Sequence, residues 1–172
     1  FDLAATATTF GASGSDVVGL EVYHGSTDAP AVDIYANGGA LLTDFSYGDF
    51  SGFVEVPADE YVLGVAPAGG DVIAEFPFEL EDGGSYVVVA TGLLGNNVTP
   101  FGLAATATTF GASNSSVVGL EVYHGSTDAP AVDIYADDAA LLTNFSYGDF
   151  SGFVEVPAAD YTLGVAPAGG DI

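Results

Sequence analysis

Apolar and polar residues alternate along this chain in runs of five to eight, separated by clusters of Gly, Pro, Asp, Asn and Ser. A two-residue period sends successive side chains to opposite faces of an extended segment, so these runs read as half-buried strands. The pattern predicts strands over Val17–His24, Ala31–Tyr35, Leu41–Phe45, Phe53–Val56, Tyr61–Ala66, Val72–Phe78, Ser85–Thr91 and Phe101–Thr109. Turn residues at Gly25–Pro30, Asn37–Gly39, Gly48–Gly52, Pro57–Glu60, Pro67–Asp71, Glu79–Gly84 and Gly95–Pro100 divide them. Helical periodicity is nearly missing. Seven or eight short strands in a stretch of about 100 residues describe an all-β domain, an antiparallel two-sheet sandwich of the Ig-like kind.

The same period assigns faces. Val18, Leu20 and Val22 point to one side and Glu21 and Tyr23 to the other. Val54 and Val56 face inward with Glu55 outward, while Tyr61, Leu63 and Val65 share a face and leave Val62 outside.

The pattern then starts again. Phe1–Val72 returns as Phe101–Ile172, and the two stretches differ at 11 positions of the first: 2, 14, 16, 37, 38, 39, 44, 59, 60, 62 and 72. The period suits a whole small domain rather than a solenoid unit. With a boundary near Asp16, residues 1–15 are expected to be the last strand of a preceding repeat. Residues 16–115 then form one complete sandwich, and 116–172 the first strands of the next. That last piece lacks counterparts of Val72–Phe78 and Ser85–Thr91, so further chain or a neighbouring chain is expected to close its sheet edges. The whole reads as a window on tandem domains.

Charge narrows the partners. The chain has no Lys or Arg against 24 Asp and Glu, a formal net charge of −24. Such a surface repels phosphate backbones and anionic headgroups, which excludes nucleic acid and polybasic membrane docking. Without basic partners the carboxylates repel one another at low ionic strength, so a salt-rich setting is expected first and an acidic one second. Cys is absent, so neither disulfides nor thiolate metal sites hold the fold. At 49% hydrophobic residues the chain can fill a core.

One segment carries a resemblance. The run from Leu20 to Tyr35, with His24, Ser26, Asp28, Ala29, Pro30, Val32, Asp33 and Tyr35, resembles a family of secreted bacterial and archaeal β-sandwich domains of unknown function. Its hallmark is His-x-Ser-Pro-Asp-Ala-Pro followed by Val-Asp-Val-Tyr, and His124 to Tyr135 repeat it. Phe45–Phe53 and Val56–Tyr61 are also similar to that family's later strands. The departures are Gly25-Ser26-Thr27 for Ala-Ser-Pro, and Asp59-Glu60 where Gly is common. The resemblance implies an extracytoplasmic sandwich, often in tandem, and no reaction.

Candidate chemistry is sparse. His24 and Asp28 beside Ser26 invite a triad reading, but no nucleophile elbow accompanies them, and Asp28 before Ala-Pro suits an Asx turn. No catalytic residue and no cofactor is expected. Calcium is the one cation the carboxylates would suit, with Asp28, Asp33, Asp128 and Asp133 as weak candidates, although no Asp-x-Asp-x-Asp-Gly loop occurs. Asn97, Asn114 and Asn144 open Asn-x-Ser/Thr sequons in or near predicted loops or outer edges, where a glycan would stand in water. The aromatic residues Phe45, Tyr47, Phe50 and Phe53, with the ends of the flat run Phe101–Phe110, are candidates for contact between domains or subunits. The expected function is structural: a subunit of an extracellular filament or cell-surface appendage that binds copies of itself. The alternative is an adhesin or glycan-binding module recognising surface glycans.

Overall fold

The computed structural model describes residues 3–8, 11–108 and 111–170. The chain divides into two compact units, Asp2–Thr109 and Phe110–Ile172, with Phe1 assigned to the latter. Every regular element among the described residues is a β-strand.

The first unit holds β1 (Val17–His24), β2 (Val32–Ala36), β3 (Gly39–Phe45), β4 (Phe50–Pro57), β5 (Asp59–Pro67), β6 (Ala74–Leu80), β7 (Ser85–Thr91) and β8 (Gly102–Ala107). They form two four-stranded sheets, in the orders β4-β1-β7-β8 and β3-β2-β5-β6. The two sheets make a β-sandwich. Pairing is antiparallel except between β1 and β7, which run parallel with Gly19 opposite Ser85 and His24 opposite Ala90.

Val18, Leu20, Val22 and Val88 from one sheet share a core with Val32, Ile34, Phe45, Tyr61, Leu63, Val65 and Leu80 from the other. Removing such a side chain from water is worth about 1.5–3 kcal/mol. This burial makes the inward faces of β1 and β5 the main source of cohesion. Val62 stays outside at 43% exposure, as the alternation requires.

Glu21 takes the face that alternation gives it and is nonetheless buried. It lies on the outer face yet is only 3% exposed. Its Oε1 accepts the Gly52 N–H at 3.1 Å, and Thr8 of the N-terminal stretch bonds its carboxylate. Farther along, Ser13 donates its N–H and hydroxyl to Glu55. The N-terminal residues thus meet the acids of the outer face and cover one of them. Burial pushes the Glu21 carboxyl above its usual range, against the lowering effect of the bonds from Thr8 and Gly52.

Gly19 is demanded by its neighbour. A Cβ there would lie 2.1 Å from Cζ of Phe53, so the ring can occupy that place only over a glycine. Phe153 stands over Gly119 in the same way, at 2.0 Å.

The second unit holds β9 (Val117–Leu120), β10 (Val132–Ala136), β11 (Ala139–Phe145), β12 (Val154–Pro157) and β13 (Leu163–Pro167). The orders are β11-β10-β13 and β12-β9. These repeat β3-β2-β5 and β4-β1 in register: Leu120 faces Val154 as Leu20 faces Val54, and Ile134 faces Val165 as Ile34 faces Val65. Among the described residues no strand stands beside β9 where β7 stands beside β1, or beside β13 where β6 stands beside β5.

Candidate functional site

The segment from His24 to Asp33 begins at the end of β1, crosses a turn and enters β2. Four of its polar side chains, His24, Ser26, Asp28 and Asp33, bond the chain's own backbone. His24 is fully buried, with Nε2 3.3 Å from the Pro30 carbonyl. A carbonyl only accepts, so Nε2 carries the proton, while Nδ1 is buried without a hydrogen-bond partner. The His24 backbone brackets the β3–β4 loop, donating to Asp49 O and accepting from Gly48 N. The ring lies 6.1 Å from that of Phe45. Burial depresses the imidazole below its usual range, outweighing the Pro30 carbonyl and the Asp49 carboxylate, and keeps it neutral. A depressed pKa contributes stability above the unfolded-state value, and that contribution is lost as pH falls through the folded-state value.

Ser26 is also fully buried and donates its hydroxyl to Gly92 O at 2.8 Å. Asp28 accepts the Leu94 N–H on both oxygens, at 3.0 and 3.1 Å. Together they clasp the β1–β2 turn to the β7–β8 loop, 66 residues away. That loop closes on itself: Leu93 donates to Thr99 O and Phe101 donates to Leu93 O. At Gly92, φ is +77° and a Cβ would meet Pro100 O at 2.0 Å, so only glycine fits. Ser26 bonds a carbonyl and has no exposed surface, which is not the posture of a nucleophile facing a substrate.

Asp33 organises a bulge. Between Val32↔Phe45 and Ile34↔Leu42 the β2–β3 register slips, and Asp44 there has φ +53°. The Asp33 carboxylate accepts the Asp44 N–H at 2.9 Å and the Gly69 N–H at 2.8 Å, the latter in the turn after β5. These donors, Gly69 first, hold the carboxyl below its usual range. A lowered carboxylate pKa contributes stability above the unfolded-state value and loses it as pH falls through the folded-state value.

Asp133 repeats this arrangement with Asn144 at 2.7 Å and Gly169 at 2.8 Å, and Asn144 takes the positive φ. His124 repeats the Pro130 contact at 3.3 Å. Ser126 donates to Asp128 Oδ1 at 3.0 Å, where Ser26 lies 3.5 Å from Asp28 Oδ1 and also donates to Gly92 O.

The four aspartates singled out for calcium are thus occupied by the chain's own donors. Asp33 and Asp133 each serve two backbone N–H groups, Asp28 serves Leu94 and Asp128 serves Ser126. Among the described residues no group of three or more His, Asp or Glu gathers in metal-ligand geometry.

The aromatic contact candidates separate. Phe45 is 6% exposed in the core, Phe50 stacks on Tyr23 at 4.5 Å, and Phe53 covers Gly19. Phe101 packs against the core and meets Phe76 at 6.4 Å. These four make contacts within the first unit; a hydrophobic ring at a strand end has core to fill before it has a partner to meet. Tyr47 remains 49% exposed, and Phe110 lies outside the described residues. The flat run after Phe101 pairs with β7 as the outer strand of its own sheet. Asn97 and Asn114 are exposed in loops, and Asn144 is exposed on β11.

The motif's Ser26 and Asp28 bond the β7–β8 loop, and sequence spacing did not reveal these long-range partners, Gly92 and Leu94. No curated protein matches the chain. Residues 18–120 and again 118–172 match the family described as Domain of unknown function (DUF4397), and the chain belongs to that family.

Proposed function

We propose that the protein is a structural subunit of an extracellular filament or cell-surface appendage, built by repetition of its β-sandwich and held together by contacts between copies. The observation that carries this reading is the use of the polar segment His24–Asp33 on the chain's own backbone: Ser26, Asp28 and Asp33 brace turns and a bulge instead of lining a pocket. Near-identical copies within one chain and an all-acidic surface agree with an architectural role in a salt-rich exterior. Cohesion then comes from apolar faces and strand edges, because no Lys or Arg exists to pair the carboxylates.

Negative-stain electron microscopy of the native material at high salt tests this reading. Uniform fibres are the expected result. Discrete single particles that bind specifically on a glycan array would overturn it in favour of an adhesin.

A further inference from the structure

Glu21 is buried on different terms from Asp33 and Asp133. Each aspartate serves two backbone donors, one on each carboxylate oxygen. Glu21, 3% exposed, takes the Gly52 N–H on Oε1, while its Oε2 is buried with no hydrogen-bond partner. An ionised oxygen shut away from water without a donor is costly, and the chain has no Lys or Arg to offset it. The raised proton affinity of this carboxyl follows from that burial.

Part of the cover comes from the segment before β1. Thr8 bonds the Glu21 carboxylate, and Ser13 gives its N–H and its hydroxyl to Glu55 on the same outer face, the hydroxyl at 2.9 Å. Residues 3–7 are exposed and lie in no strand, whereas the identical residues 103–107 belong to β8 and pair with β7. The first segment thus rests on the sandwich through polar catches at Thr8 and Ser13 rather than through a ladder. Segments held in this way open at low cost.

Few other groups near Glu21 can take or lose a proton. On its own strand the outer face carries Tyr23, and β4 brings Glu55 opposite Gly19. On the other side β7 sets Val87 opposite Glu21, flanked by Ser85 and Val89. The described residues of the segment, 3–8 and 11–15, include no titratable side chain.

We propose that Glu21 is the sensor of a proton-operated latch: protonated, it keeps the segment that carries Thr8 and Ser13 seated on the outer face of β1 and β4, and its ionisation releases that segment. Opening returns the carboxylate to water, which is what its charged form lacks when covered. Ser13 and Glu55 form a second catch that holds the segment without sensing the proton. Covering raises the Glu21 pKa, so the closed state's advantage is complete below the ordinary glutamate range. It is lost as pH rises through the covered-state value. For a single proton, opening grows by about tenfold per pH unit between those two points and levels off above the second. This device goes beyond the filament reading and does not depend on it.

The Ser13 amide reports the latch, because its bond to Glu55 exists only while the segment is seated. Nuclear magnetic resonance of the isotope-labelled full chain would follow its exchange with water from about pH 4 to about pH 8, spanning the carboxylate range and well above it. The shift of the Glu21 side-chain carboxyl carbon gives the titration point in the same samples. Corrected for the intrinsic rate, opening at Ser13 should rise by about tenfold per pH unit up to that point and then stay flat. Glu21→Gln keeps the shape and removes the charge, so opening at Ser13 should lose its pH dependence. Glu55→Gln should loosen Ser13 at every pH and leave the rise in place. A rise that persists in Glu21→Gln, or that disappears in Glu55→Gln, would make Glu55 the sensor and overturn the proposal. The unsubstituted chain decides even where a variant fails to fold. There, a Glu21 carboxyl that titrates in the ordinary glutamate range, or Ser13 exchange that stays level while Glu21 titrates, would overturn it as well.

Discussion

Leu63 and Leu163 occupy the same place in the same local sequence, yet the first is 4% exposed and the second 45%. Val18 and Val118 differ in the same way. Strand formation itself is indifferent to this: β9 to β13 repeat the pairings of β1 to β5 without the other three strands. Local alternation and turn chemistry are sufficient to set a strand and its register, whereas burial belongs to whatever packs on top. A third comparison makes the same point from the other side. Leu3–Thr8 and Leu103–Thr108 have identical sequences, but only the second includes strand residues, where it lies against β7.

The largest test of this contrast is truncation at the paired leucines. Leu63→Ala should destabilise the first unit by about 2–5 kcal/mol through lost burial and the cavity left behind. Leu163→Ala should stay within about 0.5 kcal/mol, as at an ordinary surface position. Denaturation read by hydrogen exchange of each unit separates the two, and equal losses would break the comparison.

Next in size is the clasp. Ser26→Ala strips the donor from the buried Gly92 carbonyl and should cost about 1–3 kcal/mol, while Ser126→Ala, with no such carbonyl to abandon, should be close to neutral. The same denaturation experiment reads both. A costly Ser126→Ala would show that the serine serves its own turn rather than the distant loop.

The smallest effect concerns charge. Glu60 on β5 lies directly opposite Glu79 on β6, both exposed, with no cation of the chain to separate them. Like charges directly opposite are unfavourable, so Glu60→Gln should stabilise the first unit by about 0.2–1 kcal/mol at low ionic strength. The gain should fade near 1 M salt, where the screening length is about 3 Å. Asp160 stands at the equivalent place in the second unit, where no strand lies opposite it among the described residues, so Asp160→Asn should show less salt dependence. A salt-independent gain at Glu60 would point to packing instead of charge.

Much of this was legible beforehand. Alternation placed β1 and β7 over the residues where they occur and assigned Val18, Leu20, Val22, Tyr61, Leu63 and Val65 to the core. It gave Glu21 its face but not its burial, because a period of two says which face a residue takes and not what covers that face. It left the uses of Phe45 and Phe53 open, because an aromatic run reads alike whether its rings fill a core, lie on a glycine or meet a partner. The parallel pairing of β1 with β7, and the reach of Ser26 to Gly92, join residues separated by more than half of the first unit, where no local signal extends.

By itself, then, the sequence determined the strands, their inward faces, the turns and the lack of any basic partner for 24 acids, since each depends on residues within a few positions or on composition alone. Tertiary structure alone decided which copy of each side chain is buried, whether Ser26 or Ser126 has a carbonyl to hold, and which edges stay open. Burial and long-range hydrogen bonds need a second surface, and two near-identical segments acquire different ones when, among the described residues, β6, β7 and β8 lie beside one of them and not the other.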